Sequence, residues 1–209
     1  MFITFEGIEG CGKSTQARRL VDHLQKWGVE CILTLEPGGT PLGGKIRDML
    51  LDVQNEHLLP LAELLLYEAD RALHVEEVIK PALKEGKWVI CDRFFDATTA
   101  YQGYARGLDI HMIGSLNKLA STGLKPDVTV LLDCPVEVGL KRALERTQTE
   151  QQEGQDRFER EQLAFHHRVK AGYMRMAGAE AGRFVVVDGT LSEDELETVI
   201  FTKIRPLMP

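Results

Sequence analysis

One stretch decides the fold of this chain: Gly7-Ile8-Glu9-Gly10-Cys11-Gly12-Lys13-Ser14. It matches the spacing G-x-x-x-x-G-K-S/T, between a strand-like apolar run at residues 2–5 and a helical pattern that starts at Ser14. Glycines let successive backbone N–H groups curve around a phosphate, and the following helix points its positive dipole end at the same anion. The stretch therefore predicts a phosphate-binding loop between a strand and a helix.

Two side chains of this loop carry most of its expected chemistry. Lys13 reaches the β- and γ-phosphates of a bound nucleotide, and the Ser14 hydroxyl is placed to bind Mg²⁺. The nucleotide-binding residues that we predict are Gly7, Ile8, Glu9, Gly10, Cys11, Gly12, Lys13, Ser14 and Thr15. The motif indicates nucleotide binding and leaves open what is done with the nucleotide.

Strand-like and helical patterns alternate along the rest of the chain. Short apolar runs predict strands at residues 2–5, 29–35, 88–91, 128–132 and 184–187. Apolar spacing predicts helices at residues 14–27, 41–51 after an N-cap at Thr40, 61–84, 96–104, 109–121, 135–146 and 158–176, and after an N-cap at Ser192. Such alternation is typical of a parallel sheet covered by helices on both faces. We therefore predict a three-layer α/β/α fold of the P-loop NTPase type with a five-stranded parallel sheet.

Length and composition limit the remaining possibilities. The 209 residues, 44% hydrophobic and 27% charged, predict one globular domain over residues 1–209. A net charge of −7 argues against a nucleic-acid surface. The four scattered cysteines have no zinc or disulfide spacing, and the six histidines have no metal spacing and are expected on the surface or on helices. The sequence shows no signal-peptide pattern and no run of about 18 apolar residues that would span a membrane. We therefore predict a cytoplasmic protein.

A polar segment interrupts the last third of the chain. Residues 147–156 read TQTEQQEGQD and contain almost no apolar side chains. Such a segment cannot pack a core and is expected to be mobile. We predict a mobile lid over about residues 142–158.

The residues after the third strand distinguish among nucleotide-binding classes. A regulatory GTPase would read guanine with N-K-x-D, whereas residues 117–120 read NKLA and lack the acid. A motor ATPase would close the strand with an acidic pair, but Asp92 is followed by Arg93. Asp92 and Arg93 instead suit an acid near a metal, together with Ser14, and a guanidinium over a phosphate.

Further motifs follow in order along nearly the whole chain. They are Gly7-Ile8-Glu9-Gly10, Glu36-Pro37-Gly38-Gly39-Thr40, Asp92-Arg93-Phe94 through Ala100-Tyr101-Gln102-Gly103, Lys125-Pro126-Asp127 and Arg157-Phe158-Glu159. In these motifs the chain resembles the bacterial thymidylate kinases. The resemblance implies a homodimeric enzyme that uses ATP and Mg²⁺ to convert dTMP to dTDP, and no nucleic-acid or membrane partner.

The resemblance also implies an acceptor side of the site. Glu9 matches a carboxylate near the acceptor sugar, and Tyr67 matches an aromatic residue that stacks on the base. Three separated arginines suit a phosphate dianion, and the pair Thr98 and Gln102 matches residues that read the pyrimidine edge. The substrate-binding residues implied in this way are Glu9, Glu36, Arg47, Tyr67, Arg71, Arg93, Thr98 and Gln102.

The catalytic residues implied are cations, because phosphoryl transfer leaves the protein mainly positioning and charge neutralisation. They are Lys13, Arg93 and one lid arginine, because Gly10 stands where some relatives carry an arginine. Arg142, Arg146 and Arg157 are the candidates for the lid arginine, and Arg157 matches the family best.

Two alternative functions stay open at this point. One is a kinase of another nucleotide or nucleoside. The other, from a different class, is a regulatory protein that binds a nucleotide and switches without phosphorylating a small molecule. The missing N-K-x-D and the arginines suited to a second phosphate oppose the regulator.

Overall fold

The computed structural model describes residues 1–149 and 157–208, and for residues 146–149 it describes the helical backbone alone. Its centre is a five-stranded sheet. The strands are β1 Phe2–Glu6, β2 Cys31–Leu35, β3 Trp88–Asp92, β4 Val128–Asp133 and β5 Phe184–Asp188. They pair in the order β2-β3-β1-β4-β5, and every pairing is parallel. The predicted five-stranded parallel sheet is confirmed.

Helices cover both faces of this sheet. They are α1 Lys13–Lys26, α2 Pro41–Leu51, α3 Pro60–His74, α4 Lys80–Lys84, α5 Phe95–Thr98, α6 Ile110–Ala120, α7 Val136–Thr149, α8 Leu163–Ala179 and α9 Glu193–Ile204. α1 packs on the face of the sheet that carries Ile3 and Phe5, and α9 packs against α1. α8 packs on the opposite face, which carries Phe2 and Glu6, because its Tyr173 hydroxyl donates to Glu6. Phe2 and Ile3 point to opposite faces of β1 and both are buried, so the sheet is the middle of the three layers that the alternation predicted.

Helix boundaries agree with the sequence where local signals set them. Thr40 accepts a hydrogen bond from Gly43 N at 2.9 Å, and Ser192 forms a reciprocal capping box with Glu195. The helix predicted at residues 61–84 is interrupted by a π-helical stretch, Val75–Ile79, between α3 and α4. The second strand begins at Cys31 rather than at residue 29.

The helix predicted at residues 158–176 begins later, at Leu163. Residues 157–160 form turns, closed by a hydrogen bond from Glu161 N to Phe158 O at 3.1 Å. The Phe158 ring packs edge-on against Tyr101, with 5.7 Å between ring centroids, and this contact holds the chain out of helical geometry. Tertiary packing therefore overrides the helical spacing at this point. In the part of the chain that the structure describes, no helix is both long and apolar enough to cross a membrane.

The start of α7 packs against the phosphate loop backbone to backbone. A Cβ built on Gly10 would lie 1.9 Å from the Gly139 carbonyl oxygen, and one built on Gly139 would lie 2.5 Å from the Glu9 carbonyl oxygen. Gly10 also has a positive φ of 64°. Both positions therefore require glycine, one for close approach and one also for its backbone conformation.

We expect Gly139→Ala to lower the free energy of unfolding by about 1 to 3 kcal/mol, because the new methyl group must displace backbone atoms of the phosphate loop. Gly178→Ala on α8 is the matched control, because nothing lies within 4 Å of the built Cβ. There the same change should be neutral or stabilising by up to about 1 kcal/mol. Urea denaturation of both variants measures the difference. Equal effects would contradict the close contact.

Candidate active site

A cavity of about 210 Å³ opens beside the phosphate loop at the carboxyl ends of β1, β2 and β3. In parallel sheets, ligands bind at this edge. Its walls include every residue predicted for the acceptor side: Glu9, Glu36, Arg47, Tyr67, Arg71, Arg93, Thr98 and Gln102. Lys13, Ser14 and Asp92 line the same cavity. The structure thus brings the predicted phosphate loop and acceptor residues together in one site.

The phosphate loop leads directly into α1. Gly12, with a φ of 97°, precedes the first helical residue, Lys13. The Lys13 ammonium donates to the Ile8 carbonyl oxygen at 2.6 Å, which keeps the cation folded over its own loop. Ile8 and Cys11 point into the core, so only their backbone groups face outward for a phosphate.

A hydroxyl and a carboxylate at the end of the loop fit a magnesium ion. The Ser14 hydroxyl donates to Asp92 Oδ2, and the buried Asp92 Oδ1 has no hydrogen-bond partner among the described residues. The described residues also contain no cluster of three or more His, Cys, Asp or Glu side chains suited to a metal. Mg²⁺ usually keeps several waters and takes one or two carboxylates together with substrate phosphates. The donor set therefore fits Mg²⁺ that arrives with a nucleotide.

Arg93 is fixed between the loop and two tyrosines. Its NH2 atom donates to Glu9 Oε1 and to the Tyr101 hydroxyl, both at 3.2 Å, and NH1 donates to the Tyr173 hydroxyl at 3.3 Å. Its backbone has a φ of 71°, an unfavourable conformation for a non-glycine residue that costs on the order of 1–3 kcal/mol. The surrounding contacts hold this conformation and direct the guanidinium toward the cavity.

Glu9 is a buried carboxylate that stays charged. Burial would raise the pKa of Glu9, but His166, Arg93 and Lys13 outweigh burial and hold it at about 2. His166 Nδ1 lies 3.3 Å from Glu9 Oε2, and neither ring nitrogen has a hydrogen-bond partner in the described part of the chain. A charged carboxylate at the cavity wall is able to accept a hydrogen bond from a ligand hydroxyl group. Sequence reasoning placed His166 on a helix, which is correct, but assigned it no role.

Arg71 is held by four hydrogen bonds inside the protein. It donates to Glu36 at 2.9 Å, Glu68 at 3.0 Å, Asn117 at 2.9 Å and Thr98 at 2.8 Å. A guanidinium has five N–H groups, so one remains for a ligand. Its position at the cavity wall is therefore rigid.

Glu36 supports Arg71 from the position directly after β2. Its other oxygen lies 2.9 Å from His74 Nδ1, and His74 Nε2 lies 2.6 Å from the Thr34 hydroxyl. The sequence analysis assigned no role to His74, which is fully buried on α3.

The side chains predicted to contact the base lie on α3, at the end of α5 and in the π-helical stretch Thr99–Ala105. Tyr67 lines the cavity, and burial, together with the Glu63 charge, raises its pKa, so its phenol stays neutral. The Gln102 amide nitrogen donates to Glu63 Oε1 at 2.8 Å. Sequence reasoning missed Glu63, although it lies one helical turn before Tyr67 on the same face of α3.

Arg157 is not brought into the cavity. It is buried, its Nε donates to the Leu50 carbonyl oxygen at 2.6 Å, and its NH2 donates to Glu63 Oε2 at 2.6 Å. Arg142 NH1 donates to the Gly189 carbonyl oxygen at 3.2 Å. The side chain of Arg146 lies outside the described residues. The catalytic role of a lid arginine therefore stays a prediction.

These features together define the class of protein: a P-loop phosphotransferase in which one cavity joins the phosphate loop to a group of arginines. The thymidylate kinase family model matches residues 5–200. A thymidylate kinase of Geotalea daltonii is 56% identical over 204 residues, covering 97% of this chain and 95% of the relative. One of Trichlorobacter lovleyi is 54% identical over 200 residues, covering 96% and 94%.

Comparison with a solved structure points to the same family. The crystal structure of thymidylate kinase from Ehrlichia chaffeensis has a TM-score of 0.77 and 33% identity, covering 98% of each chain. The chain belongs to the thymidylate kinase family.

Glu6 lies beneath this site as a second buried acid. Its oxygens accept hydrogen bonds from Phe94 N and from the Tyr173 hydroxyl, both at 2.7 Å. Burial, followed by the nearby Asp96 charge, raises the pKa of Glu6 to about 8. The folded protein thus holds a proton there that the unfolded chain releases at neutral pH.

A pKa raised on folding makes stability fall as pH rises from the unfolded value through about 8. We therefore expect the wild-type protein to lose more unfolding free energy than Glu6→Gln between about pH 6 and pH 9, because the amide carries no charge to bury. Urea denaturation at several pH values measures this. The exposed Glu77→Gln serves as control and should follow the wild-type curve. A Glu6→Gln curve parallel to the wild-type curve would exclude titration of Glu6 in this range.

Proposed function

We propose that this enzyme transfers the γ-phosphoryl group of ATP to dTMP, producing dTDP and ADP for dTTP synthesis. One observation carries the proposal: a single cavity joins the phosphate-loop residues Lys13 and Ser14 to a pocket with three arginines, Arg47, Arg71 and Arg93. Two anionic substrates can therefore meet there. Membership in the thymidylate kinase family supports dTMP as the acceptor.

The chemistry needs positioning and charge neutralisation more than acid–base catalysis. A phosphate oxygen of dTMP attacks the γ-phosphorus in line, and no general base is required. Lys13 would leave the Ile8 carbonyl oxygen and bind the phosphates that are transferred. Arg93, already directed into the cavity, would neutralise charge between donor and acceptor. Ser14 and Asp92 would hold Mg²⁺, which supplies further charge neutralisation on the ATP phosphates when bound.

The acceptor side would hold dTMP at three points. Arg47 donates to the Pro37 carbonyl oxygen at 3.0 Å and has further N–H groups for the acceptor phosphate. The charged Glu9 would accept a hydrogen bond from the sugar hydroxyl. Tyr67 would stack on the base, and Gln102 with Thr98 would contact its edge.

We also propose that residues 1–209 form one domain and that a lid, about residues 142–158, closes over ATP and excludes water. Residues 150–156 of this lid lie outside the described residues. For Arg157 to act on the transferred phosphoryl group, its guanidinium would have to leave Glu63.

The proposed homodimer rests on exposed apolar side chains of α3 and α6. They are Leu61, Leu65, Met112 and Leu119. Such side chains are suited to burial against a second copy. The net charge of −7 and the four free cysteines favour a cytoplasmic enzyme without a nucleic-acid partner.

The acceptor is tested by mixing the protein with ATP, Mg²⁺ and each nucleoside monophosphate in turn and measuring ADP. We expect the highest kcat/KM for dTMP, because Gln102 would pair with a pyrimidine edge that carries a ring N–H. Cytidylate and the purine monophosphates should be poor acceptors. An equal kcat/KM for adenylate would favour a kinase of another nucleotide, and no phosphate transfer to any acceptor would favour a regulatory protein.

We expect Lys13→Ala to lower kcat by about 10²-fold or more, because a cation that stabilises transition-state charge is lost. Lys26→Ala, at the exposed opposite end of α1, removes the same charge and should keep wild-type kinetics. Steady-state assays, with circular dichroism as the test of folding, compare the two. Normal turnover in folded Lys13→Ala protein would exclude the phosphate-loop mechanism.

A further inference from the structure

Glu63 is a buried carboxylate to which the proposed mechanism gives no role. It has no exposed surface, and it lies on α3 behind Gln102, which lines the cavity. Oε1 accepts from Gln102 Nε2 at 2.8 Å and from Arg106 Nε at 3.2 Å. Oε2 accepts from Arg157 NH2 at 2.6 Å and from Arg106 NH2 at 3.3 Å. One carboxylate thus joins a predicted base reader to two arginines.

The two arginines hold this carboxylate in a fixed place. Arg106 also pairs with Glu161 and lies over the Phe165 ring, 4.7 Å from its centroid. Arg157 is fixed by its bond to the Leu50 carbonyl oxygen. A buried carboxylate needs such partners, because an unpaired charge in the interior costs several kcal/mol. As a result, Glu63 presents only hydrogen-bond acceptors to Gln102, in a fixed direction.

This arrangement determines which way the Gln102 amide points. The two ends of an amide have nearly the same shape, so packing alone does not distinguish them. With the nitrogen toward Glu63, one N–H is used there, and the second N–H and the carbonyl oxygen remain for a ligand. In the reverse orientation the amide oxygen would face a carboxylate oxygen, and both atoms are acceptors. Repulsion between them excludes that orientation.

The fixed amide matches one kind of pyrimidine edge. Thymine presents a ring N–H donor beside a carbonyl acceptor, which an amide oxygen and an amide N–H complement. Cytosine presents a ring nitrogen acceptor beside an amino donor, and this edge requires the reversed amide. A mismatched polar contact in a closed pocket is strongly unfavourable, because buried groups are left unpaired.

We propose that Glu63 is a positioning residue that sets pyrimidine specificity by locking the orientation of the Gln102 amide. The inference rests on the proposed function, since it assumes that Gln102 contacts the base of dTMP. A purely structural Glu63 would change stability, and it would change the use of all acceptors by the same factor. A positioning role instead changes one acceptor relative to another.

Glu63→Gln tests this role, because an amide at position 63 can either accept from Gln102 or donate to it. We expect the ratio of kcat/KM for dTMP to kcat/KM for dCMP to fall by about tenfold or more. The KM for ATP should stay close to the wild-type value. Glu161→Gln is the matched control, because it removes a charge from the same Arg106 outside the base pocket. It should keep the wild-type ratio.

A second variant covers the case in which Glu63→Gln does not fold, since that change leaves Arg157 without its carboxylate. The double variant Glu63→Gln with Arg157→Gln removes both charges and restores the balance. Loss of any contribution of Arg157 to phosphoryl transfer affects both acceptors alike and cancels in the ratio. We expect the same tenfold or larger fall there.

The outcomes separate this inference from the proposed function. A wild-type enzyme that does not phosphorylate dTMP would refute the proposed function. A wild-type enzyme active on dTMP, with a ratio in folded Glu63→Gln or in the double variant within about twofold of wild type, would overturn the role of Glu63 alone. A fall of the same size in Glu161→Gln would also overturn it, because the effect would then be one of charge rather than amide orientation.

Discussion

The parallel pairing of β1 with β3 is the constraint on which the site depends. The register sets Phe5 opposite Asp92, so the chain leaves both strands at the same edge of the sheet. From β1 it continues as the phosphate loop, and from β3 it continues as Asp92 and Arg93. The acid proposed to bind the metal and the cation proposed to bind phosphate are thereby placed beside Lys13, although more than 70 residues separate them from it in sequence. No local signal could bring these groups together without the sheet.

Buried charge around the cavity is arranged in matched pairs. Glu9 lies against Arg93, Glu36 against Arg71, and Glu63 against Arg157. Each pair is costly to bury, yet breaking one would cost more than keeping it. For Arg71 and Arg93 the gain is preorganisation: both already line the cavity in which the acceptor phosphate is proposed to bind, so little rearrangement of these two cations would be needed. The site thus accepts a cost in stability in order to hold its cations in place.

Local patterns predicted the strands, the helix caps and the phosphate loop, because short-range chemistry determines each of them. The order of the strands could not be predicted in this way, since it depends on pairings across the whole chain. Phe158 illustrates the limit. Its spacing is helical, but its ring packs against Tyr101, and the helix does not begin until Leu163. Arg157 illustrates it again, because its partner Glu63 lies 94 positions earlier. A motif identifies such an arginine and does not reveal where its charge is directed.

An amide is a weak discriminator unless something else fixes its direction. Gln102 alone could satisfy either pyrimidine edge by rotating its terminal group, at the cost of one rotamer change. A carboxylate behind it removes that freedom, and a carboxylate can be buried there only with cationic partners. Base recognition as proposed here therefore extends beyond Gln102, through Glu63 to Arg106 and Arg157. Because Arg157 lies near the end of the proposed lid, about residues 142–158, the same charge network would connect the acceptor pocket to the end of the lid.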